Sequence, residues 1–196
     1  SDLKAFRENM KQLILDVHTL KNYVETRNNV NSKKFSLTGI SLGSVMGLTV
    51  GAFDQSFTSY GNLVGGVDLA NIIYNRATNR PGSEVAKAMK DLEMNESLIR
   101  NQLAAIDAMT WLHRYQGKNI FALNATRDDI INHETSVKPM LEIWKQNGNH
   151  VQEKLNNDSH QPTGSFFKKM KNVFNPMLKF VVDNSPRYDE VCPPNI

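Results

Sequence analysis

The chain is 196 residues long, 40% hydrophobic and 22% charged, with a formal net charge of +3 at pH 7; this is enough apolar mass to bury a core and excludes a chain disordered throughout. So small a net charge gives no ground for a nucleic-acid partner, and the single cysteine, Cys192, excludes an internal disulfide and a cysteine-built metal site. The charge is unevenly spread: no basic residue lies between Lys34 and Arg76, where the acids are Asp54 and Asp68, whereas residues 165–179 hold four lysines and no acid.

Leu3, Phe6, Met10, Leu13, Val17, Leu20 and Val24 alternate spacings of three and four, the seam of an amphipathic heptad helix over residues 3–24. The polar run from Arg27 to Lys34 ends it as a loop. Seven of the eleven glycines then fall between Phe35 and Tyr74. Within that region Ser36 to Phe53 carries no charge, a turn follows at Asp54 and Gln55, and a second apolar stretch runs to Tyr74. This predicts a Gly-rich apolar helical hairpin over 36–74, its first half near the lower length limit of a bilayer span.

Ser83 is an N-cap for a long helix over 83–115, stopped by Gly117. Thr126 opens a helix over 126–146 that Pro139 kinks. Ser165 caps a basic amphipathic helix over 165–182, and residues 185–196 form an extended tail. No window shows the sustained alternation of a half-buried strand. The expected fold is therefore all-α: a single helical domain over 1–184, a bundle with the hairpin packed among amphipathic helices.

Gly39, Gly43, Gly47 and Gly51 recur at every fourth position, and Gly61 and Gly65 extend the theme. On a helix that spacing makes a smooth groove where another helix approaches closely, in lipid or in a soluble core. Asp54 and Asp68 would couple the hairpin to pH, because protonation eases entry of a carboxylate into lipid. Phe166 and Phe167 beside Lys168, Lys169 and Lys171 form the pattern of a segment lying on an anionic membrane surface.

Enzyme signatures find no support in the sequence. The five histidines, His18, His113, His133, His150 and His160, are scattered, and His133-Glu134-Thr135-Ser136 lacks the second histidine of a zinc helix. Cys192 has no setting that would lower its pKa. The glycine spacing follows helix geometry with no strand before it, which excludes a phosphate loop. No catalytic residue, metal or cofactor is expected, and the chain is read as non-enzymatic.

The order of parts resembles the apolipoprotein L family over about residues 10–95. Val17 and His18 stand near the end of a helix that precedes a Gly-rich, Ser/Thr-rich apolar hairpin, here Gly39 to Gly66. Asp54 and Gln55 replace the proline often found at the hairpin turn. The resemblance implies a helical, lipid-associated protein, pore-forming in some members. The expected function is a lipid-associated or membrane-permeabilising protein, secreted or membrane-associated and pH-triggered through Asp54 and Asp68. Its partners would be a lipid surface, and a partner coiled coil or homo-oligomer through residues 3–24. The alternatives are a soluble helical interaction module with the glycines serving core packing, and a helical carrier of a small apolar ligand.

Overall fold

The structure, a computed structural model, describes residues 3–28, 30, 34–79, 81–157, 159–160 and 170–184. Four strands pair in parallel in the order β1-β2-β3-β4: Phe35–Ile40, Phe57–Leu63, Asn119–Ala125 and His150–Asn156. Parallel neighbours need a crossover, and each connection is helical. α2 (Leu42–Phe53) joins β1 to β2, and α3 (Leu69–Asn79), α4 (Glu84–Asp91), α5 (Glu96–Leu103) and the short α6 (Ala108–Trp111) lie between β2 and β3. α7 (Lys138–Gln146) joins β3 to β4, α1 (Leu3–Glu25) precedes the sheet, and α8 (Asn175–Asp183) follows it. Single π-helical turns, His133–Val137 and Met170–Phe174, lead into α7 and α8.

This overturns the all-α expectation, and the helical hairpin with it: residues 36–74 form strand, helix, strand and helix in turn. The physical reason is burial on both faces of the sheet. Ile120 and Ala122 of β3 belong to a cluster with Leu48 of α2, Ile99 of α5 and Trp144 of α7, while Phe121, Leu123 and Ala125 of the same strand join Val173 and Phe180 on the other side. A strand covered on both faces is apolar at nearly every position, so it loses the alternation that marks a strand and reads like a piece of buried helix.

Residues 83–115 are divided by their own caps. Ser83 Oγ accepts from the Ala86 N–H at 3.2 Å, Asn95 Oδ1 from Leu98 at 2.9 Å, and Asp107 Oδ1 from Met109 at 2.9 Å, so three successive helices start there. Asp107 also accepts from the N–H groups of Asp68 and Leu69 at 3.2 and 2.7 Å, which fixes the start of α3. Burial pushes the Asp107 carboxyl above its usual range, against the pull of these backbone donors. No helix among the described residues is long and apolar enough to cross a membrane.

Candidate active site

β1 ends at Ile40 and α2 begins at Leu42, leaving one residue, Ser41, to make the turn. Ser41 has φ 53° and ψ −121°, backbone that L-residues seldom adopt. The turn is held by the Ser41 N–H donating to the Leu63 carbonyl at 2.8 Å, and by the Ser44 and Val45 N–H groups donating to the Ser41 carbonyl at 2.9 and 3.1 Å. It is so tight that a Cβ on Gly39 would lie 2.3 Å from the Gly43 carbonyl oxygen. Residues 39–43, Gly-Ile-Ser-Leu-Gly, thus form a strand–turn–helix elbow that lifts one hydroxyl above the sheet.

Two other loops bring their side chains to that hydroxyl. Asp128 stands three residues beyond the end of β3 and His160 four beyond the end of β4. Ser41 Oγ is 2.6 Å from His160 Nε2, and His160 Nδ1 is 2.7 Å from Asp128 Oδ2. The other carboxylate oxygen of Asp128 accepts from the Ile130 and Ile131 N–H groups at 2.9 and 2.8 Å. The carboxylate fixes the imidazole tautomer: Nδ1 donates to Asp128, leaving Nε2 to accept the Ser41 proton. The Asp128 side chain is 2% exposed and that of His160 10%, so the relay is shielded from competing water.

The two loops are tied together as well. The Thr126 N–H donates to the Asn156 carbonyl at 2.9 Å, Thr126 Oγ1 to Asn157 Oδ1 at 3.0 Å, and Arg127 Nη2 to the Asn157 carbonyl at 2.9 Å. All three functional side chains therefore sit at the carboxyl ends of parallel strands, where open α/β sheets bind their ligands. The N–H groups of Leu42 and Gly43, which follow Ser41 directly in the chain, open α2, where no intrahelical acceptor exists.

A cavity of about 260 Å³ opens at Ser41 and His160. Phe6, Val45, Leu69, Ile72, Ile73 and Ile131 supply much of its wall, and Arg76 is its cationic member. Among the described residues no group of three His, Cys, Asp or Glu side chains could hold a metal ion.

The residues singled out from the sequence are dispersed by this fold. Gly39 lies on β1, Gly43, Gly47 and Gly51 on α2, Gly61 on β2, and Gly65 in the loop that follows it. They make no continuous groove: a Cβ on Gly51 would lie 2.2 Å from the Tyr60 ring, one on Gly61 2.8 Å from Thr38, and one on Gly65 2.3 Å from Asn62 Oδ1. Asp54 pairs with His18 at 3.0 Å, and Asp68 with Arg100 at 2.7 Å. Lys171 is exposed on the turn before α8. Phe166, Phe167, Lys168, Lys169, the tail 185–196 and Cys192 lie outside the described residues.

Neither Ser41 nor Asp128 is among the residues that the sequence patterns single out, and His160 stands there as one scattered histidine among five. The signal that could have found them is the Gly-x-Ser-x-Gly pattern after a run of strand-forming residues, with an Asp and then a His further along the chain.

No protein-family model matches the chain, and no curated protein does. Solved structures do. An esterase of Pyrococcus furiosus is 14% identical with a TM-score of 0.67, over 88% of this chain and 62% of that one. The acetyl xylan esterase 1 of Thermoanaerobacterium sp. is 13% identical, TM-score 0.60, over 87% of this chain and 51% of that one. An acylaminoacyl peptidase of Pyrococcus horikoshii is 12% identical, TM-score 0.65, over 88% of this chain and 28% of that one. The chain thus spans about three fifths or less of the length of these proteins.

These likenesses establish the α/β-hydrolase fold and overturn the apolipoprotein L resemblance, which rested on an order of helices that the structure does not contain. The non-enzymatic expectation is corrected with it. Neither the pH-triggered pore-forming protein nor the helical interaction module accounts for a Ser-His-Asp relay on a fold shared with esterases.

Proposed function

We propose that this site is the centre of a serine hydrolase that cleaves carboxylic esters. The observation that carries the reading is the continuous relay from Ser41 Oγ through His160 to Asp128, with contacts of 2.6 and 2.7 Å. His160 Nε2 takes the Ser41 proton as Oγ attacks the ester carbonyl carbon. Asp128 keeps Nδ1 protonated and stabilises the imidazolium that forms. The Leu42 N–H, oriented by the start of α2, faces the oxygen that gains charge in the tetrahedral intermediate. When that intermediate collapses, His160 returns the proton to the departing alcohol. A water molecule, deprotonated by the same nitrogen, then attacks the acyl-serine and releases the acid.

Support for an ester with an apolar acyl part comes from the cavity beside Ser41, where Leu, Ile, Val and Phe side chains predominate. The test is covalent labelling with an alkyl fluorophosphonate, followed by mass mapping of the modified peptide. We expect stoichiometric modification of Ser41, absent in Ser41→Ala and strongly slowed in His160→Asn, alongside turnover of 4-nitrophenyl esters. Folded protein that neither takes the label at Ser41 nor turns over any ester would refute the reading.

A further inference from the structure

We infer that the ester cleaved here joins an apolar chain to an anionic group, and that Arg76 is the residue that selects the anion. This rests on the serine-hydrolase reading and adds to it a substrate class. The cavity wall on α3 is made by Leu69, Ile72, Ile73 and Arg76. The spacing i, i+3, i+4, i+7 places them along one side of the helix, a stripe about 10 Å long at 1.5 Å per residue. An apolar stripe therefore ends in a guanidinium at the same cavity onto which Ser41 and His160 open.

Among the described residues no acidic side chain neutralises that guanidinium. No aspartate or glutamate among the described residues lines the cavity, and no carboxylate among them lies within ion-pair distance of Arg76. Arg100, by contrast, is held by Asp68 at 2.7 Å and Glu96 at 2.6 Å, the arrangement of an arginine with a structural task. Arg76 is exposed and lines the cavity from α3. Its planar fork matches a carboxylate or phosphate, and the apolar wall beside it lowers the local dielectric and strengthens the attraction. A neutral alkyl ester would fill the apolar stripe and leave the guanidinium unused. An anion joined to the ester through an apolar chain uses both.

The anion can be carried on the acyl chain or on the alcohol, and the experiment separates the two. Three esters are compared by kcat/KM: 4-nitrophenyl octanoate, the mono-4-nitrophenyl ester of suberic acid, and the octanoyl ester of 4-hydroxybenzoate. We expect the chain to prefer one anionic ester over the neutral one. That preference ratio should fall about fivefold in Arg76→Gln, the scale of an exposed ion pair, be partly restored in Arg76→Lys, reverse in Arg76→Glu, and shrink in 0.5 M salt. A wild-type enzyme that cleaves the neutral ester at least as well as both anionic ones overturns the inference, as does a ratio unchanged by Arg76→Gln; both outcomes leave the hydrolase reading intact. A chain whose Ser41 resists the fluorophosphonate and which cleaves none of the three overturns both.

Discussion

Gly39 and Gly43 stand on either side of Ser41 and are not equivalent. A Cβ on Gly39 would meet the Gly43 carbonyl oxygen at 2.3 Å and the Ser44 nitrogen at 2.5 Å, whereas a Cβ on Gly43 would meet nothing within 4 Å. The contacts at Gly39 are backbone, so they cannot give way by rotating a side chain. Gly39→Ala should cost about 3 kcal/mol, the upper range for overpacking a closed site, and displace the serine. Gly43→Ala, in the first turn of α2, should change stability by less than about 1 kcal/mol, favourably if helix propensity decides. Urea unfolding at constant m-value measures both, and equal losses would remove the distinction.

The glycine period of four was visible in the sequence, but its cause was not. Only Gly43, Gly47 and Gly51 share a helix; Gly39 is kept small by the elbow, and Gly51 by the Tyr60 and Tyr115 rings. The amphipathic seam of α1 and the cap at Ser83 were legible because they are local. β3 was not, since six of its seven residues are buried and it offers no alternation to read. The site was hidden for a related reason. Ser41, Asp128 and His160 are spread over 119 residues, and parallel pairing of β1 through β4 is what assembles them.

The backbone of Ser41 carries a separable cost. Its φ of 53° is tolerated because strand, helix and the Leu63 carbonyl determine the turn from outside. Ser41→Gly and Ser41→Ala remove the same hydroxyl, yet only glycine adopts this backbone freely. Both should be inactive, and Ser41→Gly should be the more stable of the two by about 1 kcal/mol. Denaturant titration of the pair checks this; equal stability would mean that the turn is not strained.

Asp128→Asn should leave the fold in place and lower kcat by about 10³ to 10⁴, with KM little changed. The Ile130 and Ile131 N–H groups hold one side-chain oxygen at 2.9 and 2.8 Å. An asparagine must keep its carbonyl there and turn its NH2 toward His160. Nδ1 then has to accept, Nε2 carries the proton, and the ring no longer serves as a base for Ser41. Steady-state kinetics together with the rate of fluorophosphonate labelling reads the loss, and an unchanged labelling rate would contradict the assigned role.

Asp54 gives the fold a modest acid sensitivity at the junction of α1 and α2. Burial works to raise its carboxyl, but hydrogen bonds from Ser56 and from His18 outweigh it and hold the group below its ordinary value of 3.8. A carboxyl lowered in the folded state contributes stability that is fully present above 3.8 and lost as the pH falls through the lower folded value. Wild type should therefore exceed Asp54→Asn by about 1 kcal/mol near neutral pH, since the His18 partner is half exposed and screened by solvent. The two should converge in strong acid. Unfolding midpoints across the acid range test the sign: a gap that widens as the pH falls would show that protonation of Asp54 strengthens, rather than loosens, the contact between the helices.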